Sequence, residues 1–60
     1  MNEKILLVDD EAQLRQMVSG LLAGAGYQVI EAADCAQARA AMAEGRPDAV
    51  LLDVMLPDGD

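Results

Sequence analysis

Two short apolar runs, each ending at an aspartate, constrain the fold of this chain more than any other feature. Residues 5–8 lead directly into Asp9 and Asp10, and residues 49–52 lead into Asp53. A continuous apolar run of this length, bounded by polar and turn-forming residues, predicts a β-strand that is covered on both faces. The carboxyl ends of such strands are where open α/β sheets place their ligands. The sequence therefore predicts an acidic site at one edge of a parallel sheet.

The first helix is predicted from Glu11 onward, where apolar residues recur at intervals of three and four. Asp10 is the predicted N-cap, with Gln13 at the capping-box position. Gly26 is predicted to take the left-handed conformation that ends the helix. The expected buried stripe consists of Leu14, Met17, Val18, Leu21, Leu22 and Ala25.

A short, partly exposed outer strand over residues 27–32 and an alanine-rich helix over residues 35–44 are predicted next. Asp34 is the predicted N-cap of this second helix, with Gln37 at the capping-box position, and Gly45 closes the helix. The buried stripe of the second helix is predicted to be Ala38, Ala41 and Met42.

The element order is β-α-β-α-β with short connections, which predicts an α/β fold. Right-handed crossovers place the first strand, Lys4–Val8, between the second and third strands, giving the sheet order 2-1-3. The winding of the chain reverses where the first and third strands lie side by side. Asp9, Asp10 and Asp53 are therefore predicted to converge at their carboxyl ends.

The charge balance excludes one class of partner for this segment. The formal net charge is −7, from 11 acidic and 4 basic residues. Binding to a nucleic-acid backbone requires clustered lysine and arginine, so direct nucleic-acid binding is not expected. An acidic site that recruits a cation is compatible with this balance.

Several other classes of site are excluded by residues that the sequence lacks. Cys35 is the only cysteine and there is no histidine, so an internal disulfide, a Cys/His metal cluster and a histidine-based triad are excluded. Cys35 is interpreted as a small, buried or half-buried filler on the second helix. No phosphate-binding glycine loop is present. The apolar runs are too short for a membrane span or a signal peptide, and a cytoplasmic location is predicted.

Three converging carboxylates repel one another unless a cation neutralises them. Mg²⁺ prefers oxygen ligands and keeps several waters, so one or two carboxylates suffice to hold it and leave positions open for phosphoryl oxygens. A carboxylate oxygen can then act as a nucleophile. The purely structural alternatives are an N-cap for Asp10, a solvated loop charge for Asp9 and a turn residue for Asp53.

Two segments resemble the N-terminal signatures of response-regulator receiver domains. They are Lys-Ile-Leu-Leu-Val-Asp-Asp-Glu at residues 4–11 and Leu-Leu-Asp-Val-Met-Leu-Pro-Asp-Gly-Asp at residues 51–60. The spacing between them matches this family, as do the intervening segments at residues 26–27 and 46–48. The resemblance implies a flavodoxin-like, doubly wound parallel sheet, of which residues 1–60 supply the N-terminal half.

The resemblance also implies a function in two-component signalling. Asp53 would be the phosphoacceptor for a histidine kinase, with Mg²⁺ as the cofactor. Asp10 would bind the metal directly, Asp9 would act mainly through metal-bound water, and the backbone carbonyl of Met55 would be a further ligand. The segment that follows Val54 is similar to receivers that carry a C-terminal DNA-binding domain.

The departure from the family pattern lies in what these 60 residues do not include. The Ser/Thr after strand four, the Lys after strand five and the aromatic residue of strand five have no counterpart, so a phosphoacceptor is expected rather than an enzyme. The alternative is a truncated or engineered half-receiver whose main property is assembly, with an inactive acidic site. A third alternative, a Mg²⁺-dependent phosphatase with Asp53 as nucleophile, would require a second acid where Met55 stands.

Self-association is predicted because the third strand, Ala49–Leu52, forms an edge of the sheet. An apolar edge strand is a template for pairing with another chain. Two copies are expected to pair antiparallel across a two-fold axis, forming a dimer with one continuous sheet. The two acidic clusters would then lie at opposite ends of the joined sheet.

Overall fold

The computed structural model describes residues 3–52, which form a three-stranded parallel sheet and two helices. The elements in chain order are β1 (Lys4–Val8), α1 (Ala12–Gly24), β2 (Gln28–Ala32), α2 (Cys35–Gly45) and β3 (Ala49–Leu52). The strand order is β2-β1-β3, and both neighbours run parallel to β1. The predicted α/β fold and sheet order are therefore confirmed.

β1 is the central strand of the sheet. Val8 lies opposite Ala32 of β2 on one side and opposite Leu52 of β3 on the other. Residues 5–8 are all buried, whereas Lys4 is exposed. The predicted coverage on both faces is thus confirmed for β1.

α2 covers one face of the sheet through small side chains. Leu6, Val8 and Ala32 form the buried core on this face, and the partly buried apolar residues packed against them are Ile30, Cys35, Ala38 and Ala41. Cys35 is half-buried, as predicted. Met42 is exposed and does not belong to the buried stripe, so that part of the prediction is wrong. The inward face follows positions 35, 38 and 41, and Met42 is rotated about 100° beyond Ala41.

α1 packs against β1 and β2, with no contact to α2 among the described residues. Its less exposed residues are Arg15, Val18, Ser19 and Leu22. Leu14, Met17 and Leu21 of the predicted buried stripe are exposed, as is Ala25 at the helix end. The predicted stripe is wider than the area that three strands can cover, so only one side of it is shielded from water. Within residues 3–52, neither helix has the length and apolar character needed to cross a membrane.

The predicted capping of α1 is wrong at its start and right at its end. The N-cap is Glu11 rather than Asp10, and the Glu11 side chain makes no capping hydrogen bond. At the other end, Gly26 has a φ of +101°. The N–H of Tyr27 donates to the carbonyl of Leu22 (3.1 Å), which completes the turn that a left-handed glycine permits.

The start of α2 follows the prediction closely. The backbone N–H of Gln37 donates to Oδ1 of the N-cap Asp34 at 2.8 Å. The Gln37 side chain accepts from the N–H of Ala33, one residue before the N-cap. The helix ends at Gly45, and the residue that takes the left-handed conformation is Arg46, with a φ of +48°.

β3 is an exposed edge strand rather than a strand covered on both faces. Among the described residues it pairs only with β1, which confirms its predicted place at the edge. Val50, Leu51 and Leu52 are all exposed, and Leu52 retains 58% of its accessible surface. The prediction of double coverage is wrong here because the two helices lie over β1 and β2.

The register of β3 is fixed at the amino ends of the strands. The N–H of Asp48 donates to the carbonyl of Lys4, and the N–H of Lys4 donates to Oδ2 of Asp48, both at 2.8 Å. A shift of β3 by one residue would break both hydrogen bonds and turn its side chains to the opposite face.

Gly45 and Gly24 end the two helices, and they provide a matched test of helix–sheet packing. A Cβ on Gly45 would lie 2.6 Å from Cδ1 of Ile30, whereas nothing lies within 4 Å of a Cβ on Gly24. Alanine favours a helix over glycine by up to about 1 kcal/mol at either position. Only Gly45→Ala must displace the Ile30 side chain, at a cost of about 1 kcal/mol. In urea titrations, the unfolding free energy of the Gly24→Ala variant is therefore expected to be about 1 kcal/mol higher than that of the Gly45→Ala variant. Equal stability of the two variants would contradict the close packing of α2 on β2.

Candidate functional site

Asp9 is a buried carboxylate at the carboxyl end of the central strand. Only 7% of its surface is accessible. Its N–H donates to the carbonyl of Ala32 at 3.0 Å, and its Oδ1 accepts from the N–H of Glu11 at 2.9 Å. The alternative interpretation of Asp9 as a solvated loop charge is therefore wrong, because this side chain is shielded and oriented.

Asp10 follows at the surface, where its carboxylate is accessible to solvent. The residue is exposed, and no described residue forms a hydrogen bond with its side chain. Since Glu11 is the N-cap of α1, the structural alternative for Asp10 is also wrong. The two adjacent carboxylates thus differ: that of Asp9 is buried and oriented, and that of Asp10 is exposed, with no hydrogen bond to a described residue.

Neither carboxylate has a cationic partner within residues 3–52. The ion pair formed in this part of the chain joins Arg15 and Glu31. Burying an unpaired carboxylate is costly, so a site that combines Asp9 with Asp10 favours a bound cation. One or two carboxylates with carbonyl and water oxygens match the ligand set of Mg²⁺. The residues present therefore fit this ion.

Two members of the predicted metal site, the Asp53 carboxylate and the Met55 backbone carbonyl, lie outside the described residues. Within residues 3–52, no three acidic or cysteine side chains gather into a metal site. The predicted convergence of Asp9, Asp10 and Asp53 stays a prediction.

The register of β1 and β3 bears directly on that prediction. Val8 lies opposite Leu52 in parallel strands. The residue that follows Val8 is Asp9, and the residue that follows Leu52 is Asp53. The described ends of the two strands, Val8 and Leu52, thus lie at the same level of the sheet, and each is followed in the sequence by an aspartate.

An open depression adjoins the acidic end of the sheet. It has a volume of about 260 Å³ and lies between β1, α1 and β3. Its walls are mainly apolar, and the lining residues are Leu7, Val8, Asp9, Val18, Leu51 and Leu52. The carboxylate of Asp9 is therefore bordered by an apolar surface that β3 leaves partly uncovered.

Arg15 is the residue of this region that sequence reasoning missed. Its side chain is only 17% exposed and lies on the inward side of α1. Nε donates to Oε1 of Glu31 at 3.0 Å, and Nη1 donates to the backbone carbonyl of Asp9 at 2.7 Å. The sequence indicates the position of Arg15, because residues 15, 18 and 22 have the spacing of one helix face, shared with Val18 and Leu22. Arg15 is also the single basic residue of α1.

The sequence matches a known protein family. Residues 5–60 match the model of the response regulator receiver domain. The phosphate regulon transcriptional regulatory protein PhoB of Pseudomonas aeruginosa is 46% identical over 57 residues, which are 95% of this chain and 25% of that protein. The sporulation initiation phosphotransferase F of Bacillus subtilis is 43% identical over the whole chain, which covers 48% of its length.

A solved structure agrees with the fold. The chemotaxis response regulator CheY4 of Vibrio cholerae superposes with a TM-score of 0.91 at 43% identity, over 97% of this chain and 48% of that one. The likeness supports the flavodoxin-like fold that the resemblance implied. The chain spans between a quarter and a half of the length of the proteins it matches.

The buried carboxylate of Asp9, which forms no ion pair with a described residue, predicts an unusual response to substitution. Asn at this position retains an oxygen that accepts from Glu11 but removes the buried charge beside Asp10. In the presence of EDTA, Asp9→Asn is expected to raise the unfolding free energy by about 1 kcal/mol. Asp34→Asn is the matched control, since Asn and Asp are similar N-caps, and little change is expected. A loss of stability in Asp9→Asn would contradict an unpaired, cation-seeking carboxylate.

Proposed function

Because the chain belongs to the response regulator receiver domain family, we propose that Asp53 accepts a phosphoryl group from a histidine kinase in a Mg²⁺-dependent reaction. The observation that carries this proposal is the parallel register of Val8 with Leu52, since an aspartate follows each of these residues in the sequence. The buried, oriented carboxylate of Asp9 and the exposed carboxylate of Asp10 give further support.

The proposed site divides its tasks among four residues. Asp10 would hold the metal directly, Asp9 would act mainly through metal-bound water, and the Met55 carbonyl and Asp53 would complete the set. When bound, Mg²⁺ supplies the positive charge that offsets repulsion between the carboxylates and the phosphoryl oxygens. An Asp53 carboxylate oxygen forms the new bond to phosphorus as the phosphorus–nitrogen bond of the kinase's phosphohistidine breaks. The released imidazole takes up a proton from water.

We further propose that residues 1–60 act as the N-terminal half of a receiver domain. The coverage of 48% in both the phosphotransferase and CheY4 supports this division. The phosphoryl group would move to this chain from its kinase, which makes the chain a phosphoacceptor rather than an enzyme acting on other substrates. The net charge of −7 supports the absence of direct nucleic-acid binding by this segment. The cytoplasmic location stays a prediction from the sequence.

Phosphorylation is testable with a small-molecule phosphoryl donor and intact-protein mass spectrometry. The wild-type chain is expected to gain the mass of one phosphoryl group with Mg²⁺ and none with EDTA. Asp53→Asn should abolish the gain, because an amide cannot form the acyl phosphate. Asp58→Asn, which removes an equal charge five residues away, should be labelled like wild type. Equal, negligible labelling of wild type and Asp53→Asn would favour a half-receiver with an inactive site.

A second candidate function is assembly, favoured by the exposed outer edge of β3. Val50, Leu51 and Leu52 of β3 are exposed, and so are Leu14, Met17 and Leu21 of α1. We propose that Ala49–Leu52 pairs antiparallel with the same strand of a second copy, which would satisfy the free backbone groups of the edge. The contact would be the same patch on both copies, as two-fold symmetry requires.

Assembly is testable by sedimentation equilibrium on two lysine variants. Leu52→Lys places a charge on the β3 edge and is expected to shift the mass from dimer to monomer. Met42→Lys changes a side chain of similar exposure on α2, 51% against 58%, and should leave the dimer intact. A wild-type chain that is folded and monomeric at all concentrations would contradict the assembly proposal.

A further inference from the structure

The Arg15 side chain connects three elements at the acidic end of the sheet. It extends from the first turn of α1, pairs with Glu31 of β2 and reaches the carbonyl of Asp9 after β1. The 2.7 Å bond to the carbonyl is short, as expected for a charged donor. The partly buried guanidinium of Arg15 is thus hydrogen-bonded to the backbone at Asp9.

The peptide between Asp9 and Asp10 is the target of this contact. The backbone of Asp9 is held on one side by its N–H bond to Ala32 and on the other by Arg15. Asp10 has no side-chain hydrogen bond to any described residue. The direction in which Asp10 leaves the sheet therefore depends on the peptide plane that Arg15 fixes.

We propose that Arg15 is a positioning residue that fixes the Asp9–Asp10 peptide and so presents both carboxylates to a divalent cation. This inference rests on the proposed function. Glu31 balances the charge of the guanidinium and orients Nε, which leaves Nη1 directed at the carbonyl. Arginine suits this task because its planar fork serves two partners at once, which a lysine ammonium on a flexible stem does less well.

Charge and geometry make opposite predictions for the loss of Arg15. Removal of a nearby positive charge alone would strengthen the binding of a cation. Removal of a group that orients the ligands weakens binding, typically by 10-fold or more in metal sites. The sign of the change in Arg15→Met therefore separates positioning from electrostatics.

The experiment measures Mg²⁺ affinity by calorimetry, with Mn²⁺ and electron paramagnetic resonance as a second probe. The Arg15→Met variant is expected to bind Mg²⁺ about 10-fold more weakly than wild type. The Arg15→Lys variant is expected to have an affinity between those of wild type and Arg15→Met. Arg39→Met is the matched control, because it removes the same charge from α2, where Nε donates to the backbone carbonyl of Cys35 within the same helix. Its affinity should equal that of wild type. The amide resonance of Asp10 should shift in metal-free Arg15→Met and not in Arg39→Met.

The outcomes separate this inference from the proposed function. Unchanged or tighter binding by Arg15→Met would overturn the positioning role while leaving the metal site in place. If Arg15→Met does not fold, the Mg²⁺ affinity of Arg15→Lys tests the inference instead. An affinity of Arg15→Lys equal to that of wild type would then overturn the inference. A wild-type chain that binds neither Mg²⁺ nor Mn²⁺ would overturn the proposed metal chemistry, and the inference with it.

Discussion

The pairing of β1 with a parallel strand on each side is the constraint on which the rest of the structure depends. It buries residues 5–8 and gives both helices a surface to cover. It also carries Asp9 to a shielded position at the end of a strand whose last four residues are buried. Burying a charged carboxylate costs free energy, so the position of Asp9 is held by the packing of the strand that precedes it.

Much of the fold was predictable because its signals are local. The runs that form β1 and β3, the glycine at Gly26 and the N-cap at Asp34 each act through a few neighbouring residues. The sheet order followed from crossover handedness rather than from any single residue. These features do not depend on what lies beyond the three strands.

The errors have a common physical origin in long-range packing. The apolarity of β3 predicts burial, but burial requires a partner that the described residues do not supply. The same holds for Leu14, Met17 and Leu21 of α1. At the site, the acidic pattern indicated Asp9 and Asp10, whereas Arg15 acts through a backbone carbonyl six residues away, a contact that appears only in three dimensions.

The reciprocal hydrogen bonds of Asp48 and Lys4 have a consequence at the other end of β3. They fix the alignment of β3 with β1 at the amino ends of the two strands. The same alignment places Val8 opposite Leu52 at the carboxyl ends. Because side chains alternate between the two faces of a strand, a change of register at Asp48 would turn Leu52 to the opposite face of the sheet. Asp48 therefore influences the acidic end of the sheet through the strand register, without contacting any described group of that end.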